Sequence, residues 1–208
     1  MTTDRNNVET GSATDSGDRV LVRSATHDDI AEITAIYAHS VATSAASFEL
    51  VAPTVDEMTA RFNKVLAARC AYLVAASHVG SIVGFAYTRP FHERPAFGWT
   101  VEDSIYLAPD AQGRGIGRRL LARLVAEAET AGFRQMIAVI AAGASPGSVA
   151  LHRAMGFADA GLLTRVGFKL GRWHDIAYMQ RPLGDAAADD APIPPPGLQS
   201  GVKPGGGR

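Results

Sequence analysis

Apolar positions along the 208-residue chain switch between two spacings, and the switches mark out the expected elements. Val20 to Arg23 reads as a short strand. Ile30, Ile33, Ile36 and Tyr37 then recur at helical spacing behind Asp28 and Asp29, whose carboxylates suit the start of a helix. Met58, Phe62 and Val65 repeat that spacing in a second helix beginning at Thr54. Tyr72 to Ala76 and Ser81 to Thr88 flank the turn Ser77-His-Val-Gly80, which predicts a hairpin. Trp99 to Leu107 is the next strand. The clearest helix runs from Gly117 to Ala131, with Leu120, Leu121, Leu124, Val125 and Ala128 on one stripe and Gly132 as its stop. Gln135 to Ile140 is continuously apolar and therefore reads as a central strand. Ser148 to Met155 forms a helix ending at Gly156, and Phe157 to Phe168 and Asp175 to Gln180 are two closing strands. This order predicts an α/β (α+β) architecture, a mixed sheet with one long helix crossing between neighbouring strands.

The two ends are different. Residues 1–18 are rich in Thr, Asn, Asp, Ser and Gly, and residues 184–208 are dominated by Ala, Asp, Pro and Gly. Neither composition buries enough apolar surface to order itself, so both are expected to be disordered tails around a domain at 19–183.

Composition narrows the chemistry. Lys and Arg total 20 against 21 Asp and Glu, which speaks against a nucleic-acid protein. No apolar run approaches the ~20 residues of a membrane span, and the polar N-terminus has no signal-like core, so the cytoplasm is the expected location. The single cysteine, Cys70, lies in an apolar run and reads as a buried structural thiol. The histidines show no ligand spacing, and no metal is expected.

The most informative segment follows the Trp99–Leu107 strand. A Pro-Asp turn leads into Gln112-Gly-Arg-Gly-Ile-Gly117, and this loop opens directly into a helix. Glycines let successive backbone N–H groups approach an anion, and the helix start adds partial positive charge. The loop fits neither the dinucleotide fingerprint, because Arg118 takes the last glycine's place, nor a P-loop, which needs Gly-Lys-Ser/Thr. By itself it is equally a tight strand-to-helix connection.

The wider arrangement resembles the GNAT superfamily of N-acetyltransferases. Gln/Arg-x-x-Gly-x-Gly after a strand is its acetyl-CoA loop, and Leu151-His-Arg-Ala-Met-Gly-Phe157 is similar to its later helix motif. Arg89-Pro-Phe91, Trp99-Thr-Val-Glu-Asp-Ser104 and Val166-Gly-Phe-Lys-Leu-Gly-Arg-Trp-His-Asp175 look like the phosphinothricin/methionine-sulfoximine (methionine sulfone) branch. The resemblance implies the GNAT fold, with a mostly antiparallel central sheet of seven strands and four flanking helices. It also implies acetyl-CoA as co-substrate, a small amino acid or analogue acetylated on its α-amine, and a homodimer.

Residue roles follow from the chemistry and the resemblance together. Glu102 is the candidate base: on an unbroken strand it shares a face with Ser104 and Tyr106, opposite Val101, Ile105 and Leu107. A bulge, frequent in the superfamily here, would reverse that register. The backbone of Ile105, Tyr106 and Leu107 is expected to hold the pantetheine arm, with an N–H near Leu107 polarising the thioester. The N–H groups of Gly113, Arg114, Gly115, Ile116, Gly117 and Arg118 are expected on the pyrophosphate. The two arginine side chains also fit a plain solvated helix start. His152 stands where many GNAT enzymes have a tyrosine that protonates the departing thiolate, and it also fits a structural histidine. Ser145 replaces the family's asparagine three residues before Ser148, both being expected at the cofactor. Arg89 suits a substrate carboxylate or phosphinate. Phe48, Pro90, Phe91, Asp103, Ser104 and Trp173 complete the expected substrate pocket. Two rivals remain at this point: a GNAT acting on protein N-termini or polyamines, and a non-catalytic acetyl-CoA sensor.

Overall fold

In the computed structural model, which describes residues 20–184, the two spacings resolve into seven strands and four helices. In chain order they are β1 (Leu21–Ser24), α1 (Ile30–Thr43), α2 (Val55–Ala67), β2 (Tyr72–Ala76), β3 (Ile82–Pro90), β4 (Thr100–Leu107), α3 (Ile116–Thr130), β5 (Gln135–Ala141), α4 (Pro146–Ala154), β6 (Ala158–Lys169) and β7 (Arg172–Pro182). The expected tails lie outside the described residues, apart from Gly184.

The strands form one sheet in the order β1-β2-β3-β4-β5-β7-β6. Every neighbouring pair is antiparallel except β4 and β5, which run parallel and are joined by the crossover helix α3. α1 and α2 cover one face, and α3 and α4 the other. Tyr106 of β4 meets Tyr37 of α1, whereas Asp103 of the same strand meets His152 of α4. The apolar stripe of α3 is buried as its spacing demands, with Leu120, Leu121 and Leu124 fully covered beside Val101 and Met136 of the sheet. Cys70 is buried, and burial pushes its thiol up to about 11.

Two local features differ from expectation. Asp29 does not cap α1 with its side chain. Its carboxylate instead accepts from Thr26 N at 2.7 Å and pairs bidentately with Arg23, closing the 3-10 turn His27–Asp29 ahead of the helix. Nearby charge and three donors outweigh what a single cap bond would supply. α2 has the fuller signal, with Thr54 Oγ1 accepting from Glu57 N and Glu57 Oε2 accepting from Thr54 N. The last strand is longer than the sequence suggests, starting at Arg172 rather than Asp175 and ending at Pro182, while β6 keeps its expected length shifted by one residue. They meet in a two-residue turn, Leu170-Gly171, where both residues have positive φ, as tight hairpins require.

The feature that makes room for a ligand is the parting of β4 from β5. The two strands pair from Thr100 to Asp103 against Gln135 to Ala138, and no further. Beyond that point β5 stays with β7 up to Ala141, and β4 stays with β3 up to Leu107.

Candidate active site

A cavity of about 950 Å³ opens at this split and passes between the two faces of the sheet. Its walls bring together Phe48, Arg89, Pro90, Phe91, Glu102, Asp103, Ser104, Ile105, Tyr106, Ser145, Ser148 and His152 from the sequence-based candidates. Leu107, the glycine loop and Trp173 are not among its walls.

β4 runs against β3 without a register shift, so the unbroken-strand geometry applies and the bulged alternative does not. Ala108 N donates to Val83 O and Phe91 N to Thr100 O. In an antiparallel ladder the hydrogen-bonded pairs alternate, so Phe85–Tyr106 is hydrogen-bonded while Ile105 and Leu107 turn their N–H and C=O groups away from β3. They face the open edge vacated by β5. Tyr106 is thus a correction to the expected trio: its backbone is already engaged, and its ring lines the cavity beside Tyr37 and Phe85.

Glu102 projects into the cavity and pairs with Arg89, directly opposite on β3, with Nη2 to Oε1 at 2.8 Å. Only one guanidinium nitrogen is used, so the rest of the fork remains for a second anion. Burial disfavours the guanidinium charge, but Glu102 more than compensates and holds Arg89 above its usual range. Beside them Ser104 stands directly opposite Tyr87 of β3.

On the opposite face, His152 is buried under α4. Its Nδ1 lies 2.7 Å from Ser148 O and its Nε2 3.0 Å from Asp103 Oδ2. Burial pulls the imidazole down, but Asp103, by hydrogen bond and charge, raises it overall. Asp103 therefore faces away from Glu102 and toward α4. The expectation that grouped the two with the substrate reckons with adjacency along the chain, whereas neighbours on a strand point to opposite faces.

Four tyrosines, 37, 72, 87 and 106, line the cavity on the α1–α2 side. Tyr37 donates to Glu49 and shares a hydrogen bond with Ser47, while burial pushes its hydroxyl up to about 12. Arg61 holds Glu49 from the other side with two hydrogen bonds. Beyond the place of Tyr37 on a helix face and of Tyr106 on the β4 strand, none of these was flagged in the sequence. Their convergence depends on how α1, α2 and the intervening segment cross the sheet.

That segment is strapped to the β6–β7 hairpin. Lys169 is buried and donates to Ser47 O at 2.6 Å, and the Phe48 ring meets His174 edge-on. A Cβ at Gly167 would overlap Phe48, so only glycine leaves the ring its place. Phe48 is accordingly a cavity wall, as expected. Trp173 is not: it stands half-exposed on the other face of the hairpin, against Phe168 at 5.3 Å.

At the C-terminal end of β4 the glycine loop turns into α3. Gly113 and Gly115 both have φ near +75°, with nothing within 4 Å of where a Cβ would stand. Conformation, not crowding, explains these glycines. Gly115 caps α3 without a side chain, so the N–H groups of Ile116, Gly117 and Arg118 at the helix start receive no side-chain cap. Ser145 caps α4 and likewise makes no side-chain cap bond.

Residues 33–157 match the Acetyltransferase (GNAT) family. The chain belongs to that family. This acetyltransferase is 49% identical to a phosphinothricin N-acetyltransferase of Alcaligenes faecalis, across 83% of its own length and 86% of the relative's. It is 35% identical to an L-methionine sulfoximine/L-methionine sulfone acetyltransferase of Salmonella typhimurium, covering 83% and 99% of the two chains. A GNAT phosphinothricin acetyltransferase from Sinorhizobium meliloti, solved in complex with AcCoA, superposes with a TM-score of 0.81 at 44% identity, covering 89% of this chain and 96% of that one. The acetyltransferase thus shares its seven-stranded mixed sheet with enzymes of known fold, and it is an enzyme of acetyl transfer.

Proposed function

We propose that this acetyltransferase moves the acetyl group of acetyl-CoA to the α-amine of a small amino acid or analogue of the phosphinothricin, methionine sulfoximine or methionine sulfone type. The observation that carries the reading is the Arg89–Glu102 pair in the cavity wall. An α-amino acid presents a carboxylate and an ammonium one carbon apart, and the pair offers a cation and an anion side by side. Arg89 takes the carboxylate with its unused fork, and Glu102 receives the ammonium. A polyamine has no anion for Arg89, so the pair favours the amino acid.

The α-ammonium of a free amino acid is still protonated at neutral pH, and transfer of one proton to Glu102, directly or through one water, leaves a neutral amine. The amine attacks the thioester carbonyl. Its oxygen is met by an N–H on the open edge of β4, at Ile105 or Leu107, and such a donor is worth about 3 kcal/mol in the transition state. The same edge takes the pantetheine arm as an added strand, while Gly113 to Arg118 take the pyrophosphate, with Arg114 and Arg118 beside it. Ser145 and Ser148 lie where the arm passes α4. His152 gives a proton to the departing thiolate. Acetyl-CoA arises inside the cell, which places the reaction in the cytoplasm. Acetylation also removes the ammonium by which an amino-acid-like toxin is recognised, so the cellular consequence is resistance.

Leu162, Phe168 and Trp173 are half-exposed apolar side chains on one face of the β6–β7 hairpin, and a second copy of the chain is the partner proposed for it. The test of the activity is thiol release from acetyl-CoA over a panel of amino acids, their analogues, peptides and polyamines. Release with the small amino-acid analogues alone supports the reading. Release with polyamines or peptides but not amino acids overturns it.

A further inference from the structure

The two contacts of His152 fix how many protons it carries. Ser148 O is a carbonyl and can only accept, so the ring nitrogen 2.7 Å from it, Nδ1, bears a hydrogen. Nε2 is 3.0 Å from a carboxylate oxygen, and two lone pairs cannot face each other there. A second proton must therefore sit on that contact. Histidine is much the stronger base of the two, so the proton belongs to the ring. Asp103 has reason to keep it: its other oxygen, Oδ1, is buried with no hydrogen-bond partner among the described residues.

We propose that Asp103 is a positioning residue that holds His152 doubly protonated and fixed in orientation, so that the ring meets the acetyl-transfer step as an acid and never as a base. This rests on the acetyl-transfer reading above. When the tetrahedral adduct breaks its C–S bond, the electron pair leaves on sulfur, and the imidazolium gives that sulfur one proton. The proton given up is the one on Nε2: the ring becomes neutral, keeping the Nδ1 proton on Ser148 O, and its Nε2 lone pair is left against the Asp103 carboxylate, a repulsive contact that lasts only until the ring is reprotonated. Solvent reaching the cavity returns the proton. Division of labour follows from the sheet itself: Glu102 handles the amine's proton on one face, and Asp103–His152 the thiol's on the other.

Among the described residues, Asp103 is the charged group that acts on the ring. Its remaining ring neighbour is the edge-on Phe157 at 4.9 Å. Of the other charged or titratable cavity residues besides the tyrosines, Glu102 and Arg89, and Glu49 and Arg61, are paired with each other on the α1–α2 face, and Lys64, His92 and Glu93 make up the rest.

The test joins NMR of the ¹⁵N-histidine-labelled protein with pH–rate profiles of thiol release from acetyl-CoA, using methionine sulfoximine as amine. The wild-type His152 ring is expected to be doubly protonated at neutral pH. In Asp103→Asn, an isosteric change, its titration should fall by ~1 unit or more. The alkaline limb of kcat should move down with it, while acetyl-CoA binding stays near wild type. In His152→Gln the limb should vanish, and adding Asp103→Asn should change nothing further. A wild-type ring that is neutral at pH 7 overturns the proposal, and so does a limb that stays in place in Asp103→Asn. The wild-type ring titration needs no amine and no variant. Hence absence of thiol release with every amine would sink the substrate reading, while the state of the ring still decides the role of Asp103.

Discussion

Arg89 Nη2 and Glu102 Oε1 stand 2.8 Å apart on directly opposed residues of β3 and β4, one residue before the last that β4 pairs with β5. Cross-strand ion pairs on an open surface are common and worth little. This one lies in a cavity wall, with Glu102 mostly covered, and it couples the residue suited to a carboxylate with the residue suited to an amine.

Replacing Glu102 by Gln keeps the shape of the side chain and removes its basicity. Turnover is expected to fall about 10²–10⁴-fold, as for loss of a general base. Acetyl-CoA binding, measured by calorimetry, should be nearly unchanged. Unchanged turnover would remove Glu102 as the base.

The strap over the cavity can be loosened at two points. Lys169→Met leaves Ser47 O without its donor, and Gly167→Ala forces the Phe48 ring to move. Overpacking of this kind costs about 1–3 kcal/mol, part of it relieved by displacing Phe48. Steady-state kinetics should show KM for the amine raised several-fold in both variants, with kcat less affected. KM at the wild-type value would show that Phe48 does not shape the substrate site.

Acid stability has a visible source in Asp29. The Arg23 hydrogen bond leads in holding its carboxyl down, at about 2 against an ordinary 3.8. A depressed carboxyl stabilises the fold above its unfolded value and loses that contribution as pH falls through its folded value. Stability should therefore drop between about pH 4 and pH 2, read by urea unfolding at stepped pH. In Asp29→Ala the neutral-pH stability should be lower by about 1–2 kcal/mol, Arg23 being partly exposed, and this part of the pH dependence should be gone.

The exposed apolar side chains of the last hairpin predict self-association. Phe168→Asp with Trp173→Asp places two charges on that face without touching the cavity wall. Sedimentation should give two copies per particle for the wild type and one for the double variant. A wild-type particle of one copy would contradict the dimer.

How far the chain discloses itself depends on the range of the interaction. The alternation along β4 requires only one strand, and it correctly puts Glu102, Ser104 and Tyr106 on one face. Likewise the spacing of Leu120, Leu121 and Leu124 reveals the buried side of α3 without any partner. The Asp103–His152 contact joins residues 49 positions apart, and only the seating of α4 over the split brings them together. Trp173 is misplaced by sequence reading for a related reason. β6 slips register between Leu163 and Gly167, with Arg165 at positive φ, so alternation cannot be carried through to the hairpin's end. Tyr72 and Tyr87 escape notice because each is an ordinary core residue of its own element.

The central claim, that Arg89 and Glu102 together receive a zwitterionic amino acid, is tested most directly by comparing methionine sulfoximine with its α-carboxamide as acetyl acceptors. The wild type should favour the carboxylate in kcat/KM by about 10-fold or more, the worth of a charge-assisted hydrogen bond. In Arg89→Ala that preference should disappear, chiefly through a higher KM for the carboxylate. A preference that survives intact in Arg89→Ala would contradict it.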